Sequence, residues 1–336
     1  MNKKLVLFGP YPPPLGGISV HVKRITPFLE KENIDYVIYN HGYHTQENVI
    51  ATKKKLFWYV KLLFLKSACV FHFHQFFFFH YFYYFLFSKI RKEEIIVTIH
   101  SERLLDYKSK KKALALYLLS KTKKLTLISV SKNLNVFLAE NNINSIFLPA
   151  YVPPSNFSEH RREVEGLNGD LFLFSVWKFT PKLAKDVYNA PLVFEFLKRN
   201  KEKLTMLFMI GTKEGSDVKY LEKMLISYGV KDNVKLVFDQ NLVEYVHNCR
   251  FLVRPNLKDG YGVSIQEAMD LGVPAIASNV CERPKGTILF ENNDLDDFSK
   301  KIEYVLNTPK QDLLIEKEEL MYHQKLIDLY LRILKK

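Results

Sequence analysis

Short apolar, β-branched runs recur along the chain with helix-length segments between them, and this rhythm restricts the fold more than any other feature. In the first half they lie at 4–8 (KLVLF), 35–39 (DYVIY), 68–73 (ACVFHF), 95–99 (IIVTI), 125–130 (LTLISV) and 145–148 (SIFL). The second half repeats them at 170–176, 204–210, 234–238, 250–253, 274–277 and 287–290. Strands that are apolar throughout belong in parallel sheets covered on both faces, and the intervals leave room for crossover helices. Two sets of six therefore predict an α/β fold of two facing Rossmann-like domains with parallel sheets and a cleft between them. The 336 residues suffice for two separate cores. We expect an N-terminal domain over 1–150, a proline-rich polar linker over 151–169 and a second domain over 170–315. A C-terminal helix over 316–336 is expected to pack back on the first domain.

Charge is divided unevenly between the halves. Residues 1–150 carry 22 basic and 9 acidic side chains, the whole net +13, whereas residues 151–336 carry 27 of each. Such a field attracts phosphates, of nucleic acid or of an anionic membrane surface. Cys69, Cys249 and Cys281 are scattered without metal-ligand or disulfide spacing, which suits a reducing compartment. The apolar run after the N-terminus is too short for the core of a signal peptide, so a cytoplasmic location is expected. No charged residue occurs from Ser67 to Phe87, and twelve of the seventeen residues 71–87 are Phe or Tyr. The histidines His72, His74 and His80 are costly in hydrocarbon, which disfavours a span. A strand over 68–73, a turn at His74-Gln75 and an aromatic helix to about Lys92 are expected instead. Aromatic side chains beside Lys89, Arg91 and Lys92 suit a membrane interface.

In parallel α/β sheets, ligands collect beyond the carboxyl ends of the strands. After 4–8 comes "GPYPPPLGGISVHVKRI", in which Gly16 and Gly17 lead into a helix near Ile18 and expose backbone N–H groups to an anion. His100 follows 95–99, either as a satisfied structural histidine or as a hydrogen-bonding group at a cleft. Lys178 and Lys185 follow 170–176 and could reach a diphosphate. After 250–253 come Arg254, Asp259, Gly260, Tyr261 and Gly262, then a helix from about Ser264 to Gly272. Ser264 and Glu267 have capping-box spacing, a bland reason for the glutamate. That reason leaves the glycine-flanked loop ahead of a positive helix end unexplained. Such a loop is an anion cradle, and a carboxylate at either side accepts hydrogen bonds from hydroxyls. Phosphate in the middle with hydroxyls at each end describes a nucleotide sugar.

Together these stretches resemble glycosyltransferase family 4, of GT-B architecture. The resemblance covers nearly the whole chain and is carried by "GPYPPPLGGISVHVKRI", "IVTIHSERLL", "LISVSKNL", "FLPAYVPP", "MLFMIG" and above all "DGYGVSIQEAMDLGVPAIASNVCERPKGTILF". The last matches the family's E-x7-E element with Asp259 in the first acidic position, and resembles the branch found in bacterial surface-polysaccharide clusters. The resemblance implies a retaining transfer from a nucleotide-sugar donor without a metal or other cofactor. It implies that Glu267 binds ribose hydroxyls, that Asp259 meets the transferred sugar with Gly260 to Gly262 offering amides, and that His100 lies by that sugar. Gly16 and Gly17 would face donor phosphate and acceptor. Lys178 and Lys185, seven apart and lacking the family's usual arginine, are the nearest match to its phosphate-binding pair, with Arg254 a second candidate.

The partners implied are a nucleotide-sugar donor, an oligosaccharide or undecaprenyl-diphosphate-linked acceptor and the inner face of an anionic membrane, with no nucleic acid. Three alternatives stand beside this. A metal-dependent transferase would use a DxD, but Asp294-Leu295-Asp296 reads better as the start of a helix. A nucleotide-sugar 2-epimerase shares the architecture and would turn over donor without acceptor. A non-catalytic membrane- or nucleic-acid-binding protein would explain the basic half and leave the glycine-acid loop idle.

Overall fold

The computed structural model describes residues 3–13, 15–52, 55–64, 69–74, 78–100, 102–154, 161–164, 170–314 and 321–335. The chain divides into two compact units, Met1–Pro153 with Leu320–Lys336, and Pro154–Glu319. Within the expected linker, residues 155–160 and 165–169 lie outside the described residues, as does Gln75 of the expected turn.

Unit 1 holds a parallel sheet of β1 (Lys4–Gly9), β2 (Tyr36–Asn40), β3 (Val49–Ala51), β4 (Cys69–His74), β5 (Ile95–Ile99), β6 (Leu125–Ser129) and β7 (Ile146–Phe147). Their order is β3-β2-β1-β4-β5-β6-β7. Unit 2 holds β8 (Asp170–Val176), β9 (Leu204–Ile210), β10 (Val234–Phe238), β11 (Phe251–Arg254), β12 (Ala275–Ser278) and β13 (Ile288–Phe290), also parallel, in the order β10-β9-β8-β11-β12-β13. Every apolar run read from the sequence is a strand, displaced by no more than one residue at either end. β3 is an addition, a short strand paired with β2.

Alternate residues of each strand feed opposite faces, so each sheet is the wall between two hydrophobic layers. In unit 1, Val6, Phe8, Phe71, Phe73 and Val97 enter one layer. Leu5, Leu7, Val70, Ile96 and Ile128 enter the other, where the helices Gly17–Lys31 and Tyr322–Leu334 close over them. In unit 2, Phe172, Phe174, Phe208 and Val253 lie on one side, and Leu173, Leu207, Met209 and Leu252 on the other. The strand order reverses between β1 and β4 in one unit and between β8 and β11 in the other. Those reversals open the crevices where such sheets take ligands.

The aromatic stretch follows β4 as the helix Phe79–Ile90. It buries His80, Tyr81, Tyr83, Tyr84, Phe87 and Ser88 and leaves Phe79, Phe82, Leu86 and Ile90 exposed along one stripe. Among the described residues, no helix is long and apolar enough to cross a membrane.

Candidate functional site

In unit 2 the site grows out of the end of β11. Arg254, its last residue, turns its guanidinium onto Asp259, five residues on. Nη2 donates to Oδ1 at 2.7 Å, Nε donates to Oδ2, and Nη1 donates to Ser264 Oγ at 3.0 Å. Arg283, from the loop after β12, donates through Nη1 to the same Oδ2. It also donates through Nε to Ser278 O at 3.0 Å and through Nη2 to Ser278 Oγ at 3.2 Å. Asp259, expected at the transferred sugar's hydroxyls, thus spends most of its lone pairs on two guanidinium groups of its own chain. Burial pushes its carboxyl up, but Arg254 and then Arg283 overcome that and hold it at about 2.

The loop's glycines have a geometric reason. Gly262 is the N-cap of the helix Val263–Asp270 with φ +80°, and a Cβ there would meet Ile265 Cδ1 at 2.8 Å and Arg283 Nη1 at 3.2 Å. A side chain is excluded twice over. Because the helix begins at Val263, the capping box expected from Ser264 and Glu267 does not form. Ser264 lies inside the helix, and its hydroxyl serves Arg254. Glu267 is 7% exposed on that helix. A Cβ on Gly260 would meet nothing within 4 Å, so its backbone is open to approach. Tyr261 is drawn aside, its hydroxyl donating to Gln266 Oε1 at 3.3 Å.

Lys178 follows β8, its Nζ 5.7 Å from the Trp177 ring and lodged against Gly215. Lys185 is exposed on the short helix Pro181–Asp186. The Asp294-Leu295-Asp296 triplet is a helix start: Asp294 Oδ1 accepts from the N–H groups of Asp296 and Asp297 at 2.9 and 3.0 Å.

In unit 1 the carboxyl ends of β1, β4 and β5 bring histidines together. His72 and His74 share the face of β4 that the helix Gly17–Lys31 covers, and His21 of that helix comes down on them. His74 Nδ1 lies 3.0 Å from His100 Nε2, and the His21 ring centre lies 5.4 Å from His74 and 5.8 Å from His100. Deeper in, His72 bonds Tyr330 Oη through Nδ1 at 2.6 Å and Thr98 Oγ1 through Nε2 at 2.8 Å. Gly9 ends β1 so close that a Cβ there would sit 2.9 Å from His74 Cβ. Burial lowers the pKa of all four histidines, that of His21 to about 4, and the neighbouring imidazoles lower His72, His74 and His100 further. They are neutral hydrogen-bonding groups at neutral pH, not cations. Gly16 N–H is taken by Ser19 Oγ at 3.0 Å, whereas a Cβ on Gly17 would meet nothing within 4 Å.

Comparison with known proteins places the second unit. Residues 157–320 match the family model described as "Glycosyl transferases group 1". The match falls on the second unit and spans just under half of the chain, so it is that unit which is similar to group 1 glycosyl transferases. By sequence, the chain is similar to the uncharacterized glycosyltransferase YqgM of Bacillus subtilis (strain 168), 26% identical over 128 residues, a match spanning 37% of this chain and 34% of that protein. By structure it is similar to a glycosyltransferase from Rickettsia africae ESF-5 (TM-score 0.76, 14% identity, all of both chains). It is also similar to Anabaena Alr3699/HepE in complex with UDP and glucose (TM-score 0.71, 11% identity, 98% of this chain and 100% of that one). A third likeness is to the lipopolysaccharide outer core galactosyltransferase WaaB (TM-score 0.63, 12% identity, 98% and 99%). At these identities the structural likenesses establish the fold, two Rossmann-like units of the GT-B kind.

Within the matched region, Arg254, Asp259, Gly260 and Gly262 converge on one spot, and Arg283 joins them from 24 residues downstream of Asp259. Arg283 opens the run RPKGTILF, which carries part of the family resemblance, but nothing in the sequence places it beside Asp259. Asn256 was also missed. It is 2% exposed, and its Oδ1 has no hydrogen-bond partner among the described residues.

Proposed function

We propose that the protein is a retaining glycosyltransferase that moves a sugar from a nucleotide donor to a lipid-linked oligosaccharide during surface-polysaccharide assembly. The observation that carries this is the cationic, glycine-lined turn between β11 and the helix Val263–Asp270, set at the strand-order reversal of a group 1 glycosyl transferase domain. A similar fold is recorded with UDP and glucose, and another belongs to a lipopolysaccharide galactosyltransferase, which supports a nucleotide-sugar donor and a polysaccharide product.

In this reading Glu267 receives the ribose hydroxyls, and the amides of Gly260 to Gly262 with Lys178, Lys185 and Arg254 face the diphosphate. Gly16 and Gly17 approach donor phosphate and acceptor, and His100 hydrogen-bonds the transferred sugar. Breaking the glycosidic C–O bond builds positive charge on the sugar and negative charge on the departing diphosphate. Fixed cations and helix-end amides stabilise the latter without a metal. The leaving phosphate takes the acceptor's proton on the same face, so configuration is retained with no attack by a protein carboxylate.

A panel of nucleoside diphosphates, each with and without magnesium, tests this by thermal shift on wild type and Glu267→Gln. One nucleotide is expected to raise the melting temperature independently of magnesium, and less so in the variant. No shift from any of them would sink the donor assignment.

Unit 1 provides the surface for the acceptor's membrane. The stripe of Phe79, Phe82, Leu86 and Ile90 is exposed, and the adjoining helix Ser109–Lys121 adds exposed Leu114 and Tyr117 among Lys110, Lys111 and Lys121. Lys111 Nζ stands 4.4 Å from the Tyr107 ring and 4.8 Å from Phe78, an aromatic-cation pairing suited to the headgroup layer. The enzyme is then peripheral on the cytoplasmic face. Flotation with vesicles containing anionic lipid at low salt is expected to carry the protein, and Phe82→Ser/Leu86→Ser to release it. Equal flotation with neutral vesicles would refute the electrostatic part.

A further inference from the structure

The first acidic position of the E-x7-E element is occupied by a carboxylate that is not left to meet a ligand. Asp259 is 8% exposed in its side chain and is gripped by Arg254 on both oxygens and by Arg283 on one. Arg283 is 1% exposed and donates to Ser278, Asp259 and Gly260, so it cannot reach outward. Arg254 differs. Its side chain is 21% exposed, and its recorded bonds engage three of its five N–H groups, two to Asp259 and one to Ser264. Among the described residues, one N–H on each terminal nitrogen takes no partner. Two arginines and one aspartate sum to a single positive charge where a lone carboxylate would have been negative. This charge stands at the carboxyl end of β11, the strand beside β8, where the sheet's order reverses and ligands are taken.

We propose that Asp259 is a positioning residue that aims Arg254, and that the two remaining N–H groups of Arg254 bind an oxyanion of the donor. A planar guanidinium held on one edge by a bidentate carboxylate presents what is left of its fork in a fixed direction. Ser264 Oγ holds it from a second side. The proposal rests on the nucleotide-sugar reading for the identity of the ligand, and two sources of the oxyanion fit the same chemistry. One is the donor's diphosphate. The other is a carboxylate on the sugar itself, as in a uronic acid, since the site has exchanged a negative sugar contact for a positive one.

Equilibrium binding of inorganic diphosphate, UDP, UDP-glucose and UDP-glucuronate to the full chain separates these, using wild type, Arg254→Gln, Asp259→Asn, the double variant and Asp259→Glu. Arg254→Gln leaves Asp259 paired with Arg283, so it is the variant expected to fold normally. Losing a charge-assisted pair of hydrogen bonds weakens binding by about tenfold or more. If the diphosphate is the source, Arg254→Gln weakens UDP and inorganic diphosphate by that factor. If a sugar carboxylate is, UDP is unchanged and the preference for UDP-glucuronate over UDP-glucose disappears. In either case the double variant should bind no worse than Arg254→Gln alone, because Asp259 acts through Arg254. Asp259→Glu, which keeps the charge but moves it, should weaken the same ligand when binding is measured at a temperature where the variant is fully folded by circular dichroism. Losses that multiply in the double variant, measured at a temperature where it is fully folded, would overturn the positioning role. Arg254→Gln matching wild type for all four ligands would overturn the oxyanion site. Should no nucleotide bind while inorganic diphosphate binds in an Arg254-dependent way, the donor assignment falls and the oxyanion site stands.

Discussion

Asp259→Asn should destabilise unit 2 by about 3–5 kcal/mol, the usual consequence of removing one partner from a buried ion cluster. The variant keeps the shape of the side chain but leaves Arg283, 1% exposed, and Arg254 facing each other with no counter-charge. The pH dependence gives an independent handle. The carboxyl is held at about 2 when folded against 3.8 ordinarily, so its contribution is fully present above pH 3.8 and is lost as pH falls toward 2. That difference is worth roughly 2 kcal/mol in wild type and should vanish in the variant. Urea unfolding followed by hydrogen exchange of peptides from β11 and the helix Val263–Asp270 reads the effect in unit 2 alone. A urea midpoint unchanged from wild type would mean the cluster is not what holds this loop.

Mild acid should act on unit 1 instead. His21, His72 and His74 are at most 6% exposed and are kept neutral by burial, with His100 and Arg24 adding positive charge nearby when ionised. Their folded pKa values lie below 6.5, so the unfolded chain takes up protons first as pH falls, and stability drops with it. Between pH 6.5 and 5.5 each histidine costs about 1 kcal/mol, hence about 3 kcal/mol for the three. The protection factor against hydrogen exchange at β4 and β5, with the intrinsic pH dependence of amide exchange divided out, should fall by roughly two orders of magnitude over that interval if exchange there proceeds through global opening of the unit. Unit 2 serves as the internal reference. A protection factor in β4 that is flat across this range would show that the imidazoles find water or charge more easily than their packing implies.

The fold was legible because parallel strands with both faces covered cannot afford polar residues, so "KLVLF", "IIVTI" and "LTMLFMI" announce themselves. Val49-Ile50-Ala51 did not, being three residues long at a sheet edge, with Ile50 exposed. In the site, the glycine loop and its acid were visible as a local pattern, but what the acid does was not. Arg254 is five residues from Asp259 and Arg283 twenty-four, and only the turn after β12 brings the second into range. The Ser264–Glu267 spacing was real yet misleading, since the left-handed Gly262 starts the helix one residue early. His100 was flagged by its place after a strand. Its partners His21 and His74 required knowing which face of β4 the first helix covers, a fact of the tertiary structure that no periodicity carries.

The helix Tyr322–Leu334 bears on how the molecule comes into being. Leu326, Ile327, Leu329, Tyr330 and Ile333 complete the layer begun by Leu5 and Leu7, and the His72–Tyr330 bond spans 258 positions of chain. A ribosome reading this message finishes all of unit 2 before it supplies the last piece of unit 1. The domain that starts first must therefore wait with an open apolar face, while the one made second has every residue it needs. Unit 1 is begun first and completed last, and the interval of exposure is set by the time taken to translate a whole domain.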